Sequence, residues 1–277
     1  MRFFRLCKRS TSEAQKAPSR PDVNAALPAR DAPSFFTPSY ATPTVPETTV
    51  TDILKTVAPY TMVHYTGIEF LIHETVRLIQ LEIPGVIVEC GVWRGGAALA
   101  SLLAQRAAFG CVKRPVYLLD SFEGLPPVTL KDGPLAEAWQ RGDDVERFMD
   151  NCRAAETACR NLLLSHGFEE QEARIFKGWF KDTLPTVQRL TGVSSIALLR
   201  LDGDWYNSTI ECLEALEPSV SEEGTIIIDD YYAWDGCARA VHDYLSAKDL
   251  PYRIKSLYGN YGAYMIKRKF RDSYEKF

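Results

Sequence analysis

The stretch Gly85-Val86-Ile87-Val88-Glu89-Cys90-Gly91-Val92-Trp93-Arg94-Gly95-Gly96-Ala97-Ala98-Leu99-Ala100 decides the fold. It runs from apolar residues through an acid into glycines, then into an Ala/Leu-rich segment. A short apolar run bounded by glycine reads as a buried strand, and the Ala/Leu segment as the helix that follows it. Glycines in such a turn let backbone approach a ligand and bare amide groups at the helix N-terminus. The pattern is not the GxGxxG of a dinucleotide site, because Trp93 stands where the second glycine belongs and leaves pyrophosphate little room. Glu89, just before the turn, suits a cationic ligand group better than a phosphate. The plain alternative is a tight turn with no ligand.

Three more strands end in acids. Val116-Tyr117-Leu118-Leu119 leads to Asp120, about thirty residues after the first strand, where an acid of a βαβ unit can hydrogen-bond a ribose diol. A helix cap or a surface acid is its ordinary reading. Ile196-Ala197-Leu198-Leu199 leads to Arg200-Leu201-Asp202-Gly203-Asp204, and Thr225-Ile226-Ile227-Ile228 to Asp229-Asp230. In a parallel sheet all these acids lie along the carboxyl edge, where open α/β folds bind ligands. Three or four carboxylates from two strand ends make a hard-oxygen site of the kind magnesium or calcium takes. Arg200 sits inside an apolar run and must find a partner or reach solvent. Ser208-x-x-Glu211 resembles a capping box opening a helix over Thr209–Leu216, which leaves Asp204 freer for chemistry.

The remaining elements fill in around these. Apolar spacing between Thr51 and Ile83, interrupted at Pro59, predicts two helices. His64 and His73 fall there, where a lone helical histidine is ordinarily a packing or surface residue. Residues 173–176 read as a strand that Gly178 lets turn sharply; Trp179 after it could wall an aromatic ligand or belong to the core. The polar excursion Val128–Asp150 is of the length often found in lids, and helices are expected at about Asp143–His166 and Cys237–Leu245. Tyr252–Leu257 and Ala263–Lys267, joined through Gly259-Asn260-Tyr261-Gly262, read as a hairpin, so an antiparallel strand closes an otherwise parallel sheet.

Composition bounds the function. The formal net charge is -4, and residues 1–20 carry six basic and one acidic side chain, which leaves 26 basic against 35 acidic for the rest. A mildly acidic body argues against binding nucleic acid. Seven scattered cysteines without a CxxC pair suggest neither disulfide framework nor zinc site, and a reducing compartment, the cytoplasm, is expected. No stretch reaches the roughly 18 apolar residues of a transmembrane helix. Residues 1–47 are basic and then proline-rich, with seven of the 16 prolines between Ala17 and Pro46, and are expected to form an extended arm; residues 48–277 are the folded domain. A homodimer stays open, with the arm crossing to a partner subunit.

Seven strands alternating with helices and ending in a hairpin are the element order of the class I S-adenosylmethionine-dependent methyltransferase fold, an α/β Rossmann-like architecture with a seven-stranded, mostly parallel sheet. Within it the chain resembles the macrocin O-methyltransferase family, enzymes that methylate sugar hydroxyls of antibiotics. The residues that carry the likeness are Pro84–Gly96, Asp120–Pro126, Gly178–Pro185, Leu199–Asp204 and Ile228–Tyr231, within a span from about Pro59 to Lys267. The resemblance implies that Glu89, Gly91 and Arg94 surround the methionine part of S-adenosyl-L-methionine and that Asp120, with Ser121 beside it, holds the ribose. Gly178 and Trp179 would flank the adenine, and Thr61-Met62 would close over the cofactor. Asp202, Asp229 and Asp230 match the ligands of Mg2+, and Asp204 matches the general base. The expected partner is a small-molecule hydroxyl acceptor.

Two rival classes share some of these features. Asp202-Gly203-Asp204 is also a DxD, the metal-nucleotide motif of many glycosyltransferases, but three residues make a weak signal. A non-catalytic S-adenosylmethionine-binding relative is the other, and retention of four converging aspartates counts against it.

Overall fold

The structure, a computed structural model, describes residues 45–142, 150–189 and 195–268. Nearly all of the expected N-terminal arm lies outside these, as does the stretch 143–149 with which a helix is expected to begin. The strands are β1 (Val86–Cys90), β2 (Val116–Asp120), β3 (Ala173–Lys177), β4 (Ile196–Leu201), β5 (Val220–Ile228), β6 (Lys255–Ser256) and β7 (Ala263–Ile266). They form one sheet in the order β3-β2-β1-β4-β5-β7-β6. The pairs among β1 to β5 are parallel, and β7 runs antiparallel to both β5 and β6. The strand order reverses between β1 and β4, so the carboxyl ends of these two flank the crevice.

Helices cover both faces, which is why the central strands are mostly apolar rather than alternating, Glu89 and Arg200 being the charged exceptions in β1 and β4. On one face α1 (Glu47–Val57), α2 (Tyr65–Gln80) and α3 (Gly96–Phe109) pack against Ile87, Leu118, Leu198 and Ile227. On the other, α6 (Phe180–Arg189), α7 (Tyr206–Leu216) and α8 (Asp235–Ala247) pack against Val88, Cys90, Leu199, Leu201 and Ile228. Leu198 and Leu199 are wholly buried on opposite faces, and each contributes about 1.5–3 kcal/mol of transfer free energy. Pro59 stands in a single 3-10 turn, Ala58–Tyr60, that separates α1 from α2, as the sequence predicts.

Local chemistry differs from expectation in four places. The capping box does not form: α7 starts at Tyr206, Trp205 is its N-cap residue, and Ser208 lies within the first turn. The Tyr206 amide instead donates to Asp132 Oδ1 at 2.6 Å, so a residue 74 positions upstream does what a local side chain was expected to do. The polar excursion contains α4 (Gly133–Arg141), and its described part is bolted down rather than hinged. Asp132 and Ala136 are buried, Thr129 donates twice to Asp132 Oδ2 at 2.7 Å, and Trp205 Nε1 donates to the Pro126 carbonyl at 2.9 Å. The terminal hairpin is shorter than its alternating pattern, with β6 reduced to two exposed residues. Tyr252 leaves the edge because its hydroxyl donates to Glu217 Oε1 at 2.7 Å. Last, α5 (Glu156–Ser165) fills the later part of the helix expected from Asp143.

Candidate active site

The crevice at the carboxyl ends of β1, β2 and β4 opens into a cleft of about 780 Å³. Thr61, Met62, Glu89, Gly91, Asp120, Ser121, Trp179, Asp202, Asp204, Arg200 and Asp229 all line it. Three expected residues lie outside that lining. Arg94 is exposed, with its guanidinium carbon 4.4 Å from the centre of the Trp93 ring. Gly178 follows β3 one residue behind Trp179, and Asp230 is buried behind Asp229.

The glycine-rich turn owes its composition to this chain's own backbone. A Cβ on Gly91, where φ is +89°, would stand 1.8 Å from the Asp202 carbonyl oxygen, and one on Gly96 would stand 2.6 Å from the Tyr60 carbonyl. Glycine is therefore required for β1 to pass β4 and for α3 to meet the segment before α2. The amides the turn exposes are also used internally. Val92 and Trp93 donate to Asp120 Oδ2 at 2.6 and 2.9 Å, and Phe122 donates to Asp120 Oδ1 at 2.6 Å. Burial raises the pKa of Asp120, and these three amide bonds pull it back down. The carboxylate is thus oriented before any ligand arrives.

On the β4–β5 side the organising group is Arg200, only 2% exposed. Its Nη1 donates to Glu89 Oε1 at 2.9 Å, and its Nη2 to Asp202 Oδ2 and Asp229 Oδ1, each at 3.0 Å. One guanidinium thereby ties together the ends of β1, β4 and β5. Burial disfavours the charged guanidinium, but Asp202, Asp229 and Glu89 outweigh it and hold the Arg200 pKa above its ordinary value. Glu89 is fully buried, and burial pushes its carboxyl upward against the pull of Arg200.

Beside this ion cluster, carboxylate oxygens of Asp202, Asp204 and Asp230 lie within 4.8 Å of one another. An all-carboxylate donor set of that spacing fits a hard divalent cation. Asp229, expected among the ligands, directs Oδ1 to Arg200, and Asp204, expected as a base, stands in the group. The Asp204 backbone is left-handed at φ 56°, a conformation aspartate tolerates better than most residues. Its amide donates to Asp230 Oδ2 at 3.0 Å, and its Oδ1 accepts the indole N–H of Trp234 at 2.8 Å. Sequence reasoning did not find Trp234, since nothing near it in the chain marks an interaction with residue 204. It did flag Arg200, because a charged residue within an apolar run has to be satisfied. His64, read from the sequence as a packing or surface residue, stacks on Tyr261 with ring centres 3.6 Å apart and also caps α2 by accepting the Thr66 amide at 3.3 Å, a role the sequence did not show.

Comparisons with known proteins show the family. Residues 48–266 match the family model described as macrocin-O-methyltransferase (TylF). The chain is 38% identical, over 67% of either chain, to the 8-demethyl-8-(2,3-dimethoxy-alpha-L-rhamnosyl)-tetracenomycin-C 4'-O-methyltransferase of Streptomyces olivaceus. It is 34% identical to the demethyldecarbamoylnovobiocin O-methyltransferase of Streptomyces niveus, over 69% of this chain and 70% of that one. Among solved structures, the O-methyltransferase NovP superposes with a TM-score of 0.65 at 32% identity, covering 76% of this chain and 83% of that one.

Proposed function

The chain belongs to the macrocin O-methyltransferase family, and from that premise we propose that it transfers the methyl group of S-adenosylmethionine to a sugar hydroxyl of a glycosylated natural product, with a divalent cation, Mg2+ by its hardness, at the aspartate cluster. The observation that carries this reading is the convergence of the Asp202, Asp204 and Asp230 carboxylates beside a cleft that Asp202 and Asp204 line together with Asp120, Ser121 and Trp179. Two binding chemistries meet there at the carboxyl ends of β1 and β4.

Each residue has a task that its surroundings support. Asp120, fixed by three amides, accepts from the ribose diol, while Trp179 and Ser121 border the same end of the cleft. Glu89 stands at the methionine end and is held by Arg200. Asp202 and Asp230, with Asp229 next to them, would hold the cation, which when bound would lower the pKa of a coordinated hydroxyl. Asp204 takes the hydroxyl proton as the acceptor oxygen forms its bond to the methyl carbon and the carbon–sulfur bond breaks, leaving a neutral thioether. Arg200 offsets part of the negative charge, so that the cluster is stable before a cation binds. Among the described residues no helix is long and apolar enough to cross a membrane.

The test is methyl transfer from S-adenosylmethionine to a rhamnoside, followed by mass spectrometry with and without Mg2+. Turnover should vanish in EDTA and return with added Mg2+. Asp229→Ala should also remove it while leaving S-adenosylhomocysteine affinity within a few-fold, because the cofactor contacts come from β1 to β3. Turnover that survives chelation would sink the cation assignment, and binding of a nucleotide sugar in place of S-adenosylhomocysteine would favour a glycosyltransferase.

A further inference from the structure

Asp204 stands between β4 and α7. It follows Gly203, precedes the first turn of α7 and holds a left-handed backbone conformation. A base in such a position needs outside support, because a carboxylate free to rotate spends little time in the geometry a proton transfer requires. Three hydrogen bonds among Asp204, Asp230 and Trp234 supply it. The Asp204 amide donates to Asp230 Oδ2 at 3.0 Å, the Trp234 amide donates to the Asp230 carbonyl at 3.0 Å, and the Trp234 indole returns to Asp204 Oδ1 at 2.8 Å. The triangle closes through main chain and side chain at once.

Trp234 is itself immobilised. It is 8% exposed at the start of α8, with the Trp205 ring edge-on at 4.9 Å between centres and the Trp139 ring of α4 at 5.8 Å. Trp205 is pinned in turn by the Pro126 carbonyl, and Asp132 fixes α7 to the same wall. We propose that Trp234 is the positioning residue of the base: its indole N–H sets the orientation of the Asp204 carboxylate, and the wall built from residues 125–142 serves to hold that indole in place. This rests on the reading of Asp204 given above and assigns a role in the reaction to a segment more than sixty positions away from Asp204 in the sequence.

Two measurements test it. The five tryptophans give five indole N–H resonances, and Trp234→Phe identifies the one of interest. In the cation-free wild-type protein that proton should exchange with solvent slowly, and Asp204→Ala should speed the exchange at least about tenfold, the loss of one buried charge-assisted bond. The second measurement replaces Trp234 by β-(3-benzothienyl)alanine, which keeps the ring shape and removes only the donor. With methyl α-L-rhamnopyranoside as acceptor, kcat should fall about 10–100-fold, the scale of a misplaced catalytic group, while the KM for S-adenosylmethionine and the thermal midpoint stay put. In an Asp204→Asn background the same replacement should cost nothing further. Unchanged indole exchange in Asp204→Ala, or a kcat within twofold of wild type for the isosteric replacement, would overturn the proposal. A wild-type protein inert towards the rhamnoside would sink that choice of acceptor, and the indole exchange would then decide the role of Trp234.

Discussion

The two halves of the crevice solve the problem of buried carboxylates in opposite ways. At the end of β2, Asp120 is satisfied by three backbone amides, neutral donors that belong to the turn it faces. At the ends of β4 and β5 the donors to the acids include one charge, the Arg200 guanidinium, together with the Asp204 amide and the Trp234 indole. Amides orient a carboxylate without cancelling it, which suits the proposed role of Asp120 as acceptor from a diol. A guanidinium cancels charge, and on the proposed reading the excess of carboxylates around this one cation would give that side its affinity for a divalent ion. The chain has thus separated a hydrogen-bonding half from an ionic half, and Glu89, bonded across to Arg200, is where they touch.

Substitutions that act on one half and spare the other would sharpen this contrast. Asp204→Asn keeps size and hydrogen bonding but cannot take a proton, so kcat should fall about 10²–10⁴-fold. Affinity for Mn2+, measured by calorimetry, should change far less. A comparable loss of both would merge base and cation ligand into one role. Arg200→Met leaves three acids without their cation, two of them at strand ends deep in the cleft, and should destabilise the fold by about 3–5 kcal/mol. Denaturant titration checks this, and added Mg2+ should recover part of the loss by binding the native state. Were Arg200→Met as stable as wild type, the ionic half would not need its guanidinium.

The hydrogen-bonding half responds more gently. Asp120→Ala should weaken S-adenosylhomocysteine by about 1.5–3 kcal/mol, the worth of hydrogen bonds to a charged group, with cation affinity untouched. It should also loosen the Val92 and Trp93 amides, visible as faster exchange. Calorimetry that finds unchanged affinity would remove Asp120 from the site. The smallest effect concerns His64, whose pKa burial lowers from 6.5 to about 4. As the neutral imidazole it accepts the Thr66 amide, and a proton on Nδ1 would end that bond at the positive end of α2. Because the folded value lies below the unfolded one, the stability His64 contributes is present above pH 6.5 and is lost as the pH falls through about 4. His64→Asn, which can still cap the helix, should flatten the stability profile over that window; an unaltered profile would show that His64 takes no part in it.

The order of elements needed no structure. Apolar runs such as Val86–Val88 and Ile226–Ile228 cannot be exposed, each stops at an acid, and the alternation with helical segments leaves a parallel sheet with its acids on one edge. Arg200 advertised its own importance in the same way, since a charge within an apolar strand has to be paired. Other features lay beyond the sequence because they join residues far apart in it. Asp132 displaces the capping box because a tertiary acceptor reaches the Tyr206 amide, and no spacing within residues 204–211 records that. Gly91 and Gly96 read as room for a ligand, yet the chain's own carbonyls at Asp202 and Tyr60 claim that room. Trp234 meets Asp204 across 30 positions, through the end of a helix whose place on the sheet only packing fixes. Local chemistry is written in neighbouring residues, so the sequence determined which strands form and which acids end them. Which donor satisfies each acid depends on distances between strand ends and helix starts, and these exist only once both faces of the sheet are covered.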